Sequence, residues 1–249
     1  MGRRENDQFF FALYIADVIF SPFMLSREFF PVDIVMEFTP QDRETFYNIL
    51  FSRRDVRSQF TSEPIDDAVL ERILNAAHHA PSVGFMQPWD FIVVRSLQTR
   101  QAIKAGFEQA HHESALMFAE DKQDTYRRFK LEGIVEAPVG ICVTCDRSRN
   151  GPVVIGRTIK PEMDRYSAVC AVQNMWLAAR AENLGFGWVS ILHDSVLRAA
   201  LSIPEHLDIL GYMCIGHVTH FQPQPELESA GWLDRTPLSQ VVHYETWSE

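Results

Sequence analysis

The segment SRRDVRSQF, residues 52–60, places Arg53, Arg54 and Arg57 around a single Asp55. Either the stretch is an ordinary solvated turn, or the arginines hold an anion, which planar guanidinium forks can grip bidentately, and the aspartate has separate work. At helical spacing Arg53 and Arg57 share a face and Arg54 turns elsewhere, so two of the three are expected to touch the anion. The alternative is a basic helix end that complements the helix dipole. Asp55 would weaken anion binding unless it faces another part of the ligand. Neighbouring guanidiniums should lower its pKa while burial opposes them. A carboxylate so placed is a candidate general base; the competing reading is a local salt bridge with Arg54 or Arg57.

The surrounding protein is acidic, with a formal net charge of −10 over 249 residues. That balance argues against nucleic acid or an anionic membrane as the main partner, so an anion site has to be local. The apolar share of 46% and charged share of 22% suit a soluble globular protein. The length suits one sizeable domain or two small ones.

Cys142 and Cys145 form a CxxC inside APVGICVTCD, an apolar, β-rich run. Residues three apart on a strand point to opposite faces, so the two cannot share a zinc ion or close an easy disulfide. The four cysteines read as reduced, buried thiols of a cytoplasmic protein. No HExxH is present, His217 and His220 look structural, and no metal site is expected.

The elements that must position the arginine cluster follow from periodicity. QDRETFYNILFSRR carries Phe46, Ile49, Leu50 and Arg53 at helical spacing, and its apolar face suits a core-packed helix. SEPIDDAVLERILNAAHHAPS is a second helix, with Asp66 or Asp67 in its first turn, a stripe of Val69, Ile73, Leu74 and Ala77, and Pro81 at its end. WDFIVVRS alternates as a strand, residues 97–136 are helical and highly charged, and APVGICVTCD is apolar enough to be a central strand. After a Gly/Pro loop at 147–161 comes a long helix with Val169, Val172, Trp176, Leu177 and Ala179 turned inward and Gly185 as its C-cap. FGWVSIL and LDILGYMCIGHV are strands flanking a further helix, SVLRAALSIP. The last 30 or so residues are proline-rich and aperiodic, a tail that needs a surface such as a second subunit. The class is α+β, a mostly antiparallel sheet of about four or five strands surrounded by helices.

Residues 1–38 fit this pattern poorly. The apolar run 9–25 follows Arg3 and Arg4 in the outline of a signal peptide, yet it contains Asp17 and Pro22 and lacks a small-residue cleavage site. It is short for a membrane span, which needs roughly 20 apolar residues. The expectation is an over-extended gene start with Met36 as the natural beginning, or a poorly ordered extension, ahead of one domain over 39–249; a membrane anchor is the minor alternative.

Several segments then carry a resemblance. SRRDVR follows the first helix, APSVGFMQPW (80–89) the second, GWVSI (187–191) the long one, and Arg235 sits in DRTPL. Their order and spacing resemble the flavin-dependent nitroreductase superfamily from about residue 42 onward. The longer segments FAEDKQDTYRRFKLEGIVEAPVGICVTCD, GPVVIGRT and PEMDRYSAVCAVQNMWLAARAE are similar to the 5,6-dimethylbenzimidazole synthases, or flavin destructases. Where nitroreductases commonly show A-P-S-S-x-N-x-Q-P-W, this chain has Val83 and Phe85 in place of the second Ser and the Asn, as if room for an external electron acceptor were closed off.

The resemblance implies an enzyme that takes reduced FMN and molecular oxygen and breaks the flavin into 5,6-dimethylbenzimidazole, the lower ligand of vitamin B12. It implies a homodimer with the tail wrapping the partner, and a separate NAD(P)H flavin reductase as supplier. Arg53, Arg54, Arg57 and Arg235 become candidates for the phosphate, with Arg54 nearer the ribityl chain or ring edge. Ser82 and Gln87 are assigned to the polar parts of ribityl and ring, Gly187 to close approach of the chain to the ring, and Phe85 and Met86 to its walls. Asp55 becomes base or proton shuttle at the first ribityl carbon, and Ser190 a donor near ring N5. The charged segment 113–135, with Leu116, Met117, Tyr126, Phe129 and Leu131 on one face, becomes a lid. The rivals are an NAD(P)H-dependent FMN nitroreductase that recycles its flavin and a non-catalytic flavin-binding protein; for individual residues, a surface amphipathic helix at 113–135 and a self-bonded strand-end serine at 190 stay open.

Overall fold

The computed structural model describes residues 37–247. The chain divides into two compact units, 1–43 and 44–249. The expectation for the N-terminal extension falls almost wholly outside the described residues.

In the first unit, Thr39 and Asp42 cap each other: the Thr39 N–H donates to Asp42 Oδ2 at 2.9 Å and the Asp42 N–H to Thr39 Oγ1 at 3.2 Å. With Pro40 in the first helical position, this starts α1, Pro40–Ser52.

The second unit is built on four strands, β1 Trp89–Val94, β2 Val139–Cys145, β3 Gly185–Val189 and β4 Asp208–Gly216. They pair in the order β1-β2-β4-β3, and all three pairings are antiparallel. β2 is buried along its whole length, as a central strand covered on both faces requires. Val139, Ile141, Val143 and Cys145 join the core under α2, Asp67–His78, and α5, Met163–Ala181. Cys142 points the other way, into a second core with Ile103 and Phe107 of α3, Leu97–Ala115, and Leu197 of α6, Asp194–Leu201. The CxxC is therefore split between two cores, and burial pushes each thiol up to about 12. The β2–β4 register demands a glycine at 140, because a Cβ there would meet the Tyr212 hydroxyl at 1.7 Å.

Three expectations change. The apolar residues of α1 do not enter the core: none is buried, and Phe51 is 70% exposed. Helical spacing identifies a shared face but not what covers it. The segment 97–136 is not one helix. It breaks after α3, resumes as α4, Glu120–Arg128, and then runs as turns. There the buried Glu132 carboxylate accepts from the Ile134 N–H at 2.7 Å and pairs with Lys104 and Lys130, local bonding that competes with the helix ladder. Finally, α5 ends before Gly185: Asn183 takes the left-handed conformation at φ 57°, and Gly185 already belongs to β3. Within α5, Val172 and Ala179 are buried as expected, whereas Val169 is exposed.

Candidate functional site

Beyond Ser52 the chain is extended rather than helical. Asp55 pairs with Phe186 of β3 in an isolated parallel bridge, and the Val56 N–H donates to the Phe186 carbonyl at 2.9 Å. Side chains alternate on an extended chain. Val56 is thus buried in the core, while Arg53, Asp55 and Arg57 all line one cavity. Arg53 and Arg57 both reach the cavity with Asp55 between them, and Arg54, which was expected to turn elsewhere, reaches it as well.

The cavity measures about 750 Å³. One wall is residues 50–57; the other is the tail, with Pro223, Glu226 and Arg235, and Gln173 of α5 joins them. The predicted meeting of Arg235 with the N-terminal arginines is what the structure shows. Four guanidiniums therefore face Asp55, Glu226 and Glu228 around one space.

The arginines are held differently. Arg53 lies face-on over Trp176, its guanidinium carbon 4.4 Å from the ring centre. Arg54 gives its Nη groups to carbonyls, at 2.8 Å to Phe51, 2.7 Å to Arg53 and, across the cavity, to Pro223. It fastens the two walls together. Arg57 Nη2 donates to Asp55 Oδ2 at 2.9 Å, and its Nη1 lies 3.6 Å from Glu226 Oε2. Asp55 is thus in the local ion pair that was the alternative reading, yet 34% of its side chain is open, on the cavity. Its other oxygen accepts from the Trp188 N–H at 3.2 Å. Desolvation raises the Asp55 pKa, against the pull of Arg57, the Trp188 N–H and Arg53, so burial outweighs the arginines.

Gly187 sits beside this carboxylate, and a Cβ there would meet the Val56 carbonyl oxygen at 2.2 Å. The close approach that the glycine permits is made by the chain's own 55–56 segment. Ser190 is exposed just past β3, two residues beyond Trp188.

Ser82 and Gln87 do not line this cavity; they belong to a second cluster. Ser82 Oγ accepts from the Gln87 N–H at 3.1 Å, and the Val83 N–H donates to Ser167 Oγ at 3.0 Å. Gln87 is held at φ 49°, with Arg149 donating to its carbonyl at 2.7 Å. Met86 is buried and Phe85 is 80% exposed. Beside this loop Asp164 collects bonds from Arg147 Nε at 3.0 Å, Arg157 Nη1 at 3.3 Å and the Arg165 N–H at 2.7 Å. Within 113–135, Leu116 and Met117 are exposed, whereas Tyr126 stacks on His111 and Phe118 and Phe129 meet the edge of Trp232 in the tail.

Sequence reasoning missed Gln173 and Glu226 at the cavity, and Trp176, which lies behind it under Arg53. Trp176 carried a helical-stripe signal and reads as interior packing. Gln173 is a polar residue on the same helix, and Glu226 lies in an aperiodic tail where no spacing could place it. Among the described residues no group of three or more His, Cys, Asp or Glu is placed to hold a metal ion, and no helix is long and apolar enough to cross a membrane.

Comparison with known proteins gives this geometry a context. The model of the nitroreductase family matches residues 50–217. A 5,6-dimethylbenzimidazole synthase of Rhodospirillum rubrum is 40% identical over 80% of this chain and 94% of its own length. One from Rhodobacter capsulatus is 35% identical over 81% and 97%. Among solved structures, oxidized iodotyrosine deiodinase bound to FMN and 3-iodo-L-tyrosine superimposes with a TM-score of 0.65 at 21% identity, covering 81% of this chain and all of that one. A BluB-like flavoprotein from Clostridium difficile 630 superimposes at 0.60 with 18% identity, covering 80% and 98%. At these identities the structural likeness is one of fold.

Proposed function

The chain belongs to the nitroreductase family, among the 5,6-dimethylbenzimidazole synthases, and from that premise we propose that it fragments reduced FMN with molecular oxygen to release 5,6-dimethylbenzimidazole, the lower ligand of vitamin B12. The observation that carries this reading is the half-open Asp55 carboxylate, held by Arg57 and the Trp188 N–H, in a cavity lined by four guanidiniums together with Glu226 and Glu228. That donor set fits a nucleotide whose phosphate takes the cations while its uncharged part reaches the acid.

In this reading Arg53 and Arg235 hold the phosphate, Arg54 fastens the tail over it, and Arg57 orients Asp55. Asp55 takes a proton at the first ribityl carbon, directly or through a water. Its raised pKa makes it a better base near neutral pH than an ordinary aspartate. Ser190, beyond the strand that carries Gly187, donates near ring N5. The reduced flavin supplies the electrons for oxygen, and a separate NAD(P)H flavin reductase supplies the reduced flavin. The 113–135 segment, packed on the tail through Trp232, excludes water from the site.

Ser82 and Gln87 lie outside this cavity, so they reach the ring of a flavin bound to a second copy in a homodimer. Exposed apolar side chains on α1 (Phe46, Tyr47, Phe51) and on the 147–161 loop (Val153, Ile155, Ile159) supply surface for that contact. Light scattering tests it; a monomer with full flavin affinity would contradict it.

The function itself is tested by mixing the purified protein with chemically reduced FMN in air and separating the products by chromatography. Dimethylbenzimidazole is expected. Recovery of intact, reoxidised flavin overturns the reading, and turnover of a nitroaromatic with NAD(P)H then separates a nitroreductase from a flavin-binding protein.

A further inference from the structure

Trp176 touches the arginine segment in two ways and its bridge partner in a third. Its indole N–H donates to the Arg54 carbonyl at 3.1 Å. Its ring lies under the Arg53 guanidinium at 4.4 Å, and it stacks on Phe186 with ring centres 5.0 Å apart. Phe186 is the residue whose carbonyl takes the Val56 N–H, so the indole supports the turn on both sides of Asp55. On the same face of α5, three residues earlier, Gln173 lines the cavity. One turn later, Arg180 Nε donates to Ser52 Oγ at 3.1 Å, and its guanidinium sits 4.1 Å from the Phe221 ring where the tail begins. This face of α5 is a rail on which the arginine segment and the root of the tail both lie.

A guanidinium stacked on an aromatic ring uses its flat face and keeps its in-plane N–H groups for an anion. Among the described residues no hydrogen bond takes those donors of Arg53, whereas Arg54 and Arg57 spend theirs on carbonyls and on Asp55. We propose that Trp176 is a positioning residue for phosphate recognition: it presents the edge of Arg53 to the anion and locks the turn that carries Asp55. This rests on reading the cavity as the site of the FMN phosphate.

The test compares the affinity of the full chain for oxidised FMN and for riboflavin, which lacks the phosphate, by titration of flavin fluorescence. The wild type is expected to prefer FMN. Trp176→Leu should cut that preference about tenfold, the scale of one cation–π contact plus one hydrogen bond, with riboflavin affinity kept. A merely structural tryptophan would weaken both ligands alike and leave the ratio unchanged, which overturns the proposal. If Trp176→Leu does not fold, Trp176→Phe decides instead. It keeps a ring face and loses the N–H, so the ratio should fall by roughly threefold, and an unchanged ratio again overturns the proposal. A wild type without any preference for FMN would instead remove the phosphate site itself.

Discussion

At the start of α5, Asp164 is 0% exposed and receives Arg147, Arg157 and the Arg165 N–H, so its charge is enclosed by donors. At the cavity, Asp55 also sits among arginines, but it has only Arg57 and the Trp188 N–H, and a third of its side chain is open. The two clusters use the same residue types. A carboxylate with its lone pairs filled inside the protein has nothing left to offer a ligand and serves to hold a loop, here 147–161. One that is desolvated but incompletely bonded keeps a face and lone pairs for chemistry, at some cost to its ionised form. Satisfaction by donors, more than proximity to arginine, separates the structural acid from the candidate reactive one.

That contrast can be broken by substitution. Asp55→Asn keeps the shape and loses the base, so product formation should fall about 10²- to 10⁴-fold while flavin affinity is retained; loss of binding together with activity would make Asp55 a second Asp164. Asp164→Ala leaves the half-buried Arg147 and Arg157 without their buried partner, and urea denaturation should show a loss of about 1–3 kcal/mol. A stable Asp164→Ala protein that has lost only turnover would reverse the assignment. Arg235→Ala removes one cation from the tail wall and should weaken FMN by roughly 10- to 100-fold, with riboflavin little affected. The smallest effect concerns pH. A base works ionised, and the Asp55 pKa is raised, so the rising limb of product formation against pH should lie above the ordinary aspartate value near 4 (roughly). Arg57→Gln removes an interaction that favours the ionised form, so the limb should move further up; a shift downward would show that Arg57 does not act on Asp55.

The sheet was legible in the sequence because an edge strand declares itself by alternation and a central one by an unbroken apolar run. WDFIVV and VGICVTC appear where their pattern puts them, and even the opposed directions of Cys142 and Cys145 follow from a period of two. The arginine cluster was legible as a cluster, but the reason given for its shared face, helical spacing, was not the one the backbone uses. Local periodicity could not tell that the helix stops at Ser52, because the stop depends on a bridge to Phe186, far along the chain. The burial of α1 was overestimated for a related cause: an apolar stripe demands a partner without naming it. Trp176 shows the same limit from the other side. Its stripe placed it correctly on an inward face, yet nothing in the spacing revealed that the object packed there would be a guanidinium.

The two walls of the cavity are joined by the hydrogen bond from Arg54 to Pro223, across 169 residues of sequence. Closing so long a loop has an entropic cost that rises only slowly with length, and the sheet between the walls meets most of it. All four strands precede the tail wall in sequence. A chain clipped just beyond Phe221 would keep the whole sheet and lose Glu226 and Arg235 together, so protease nicking in the tail would yield a folded protein with half a receptor.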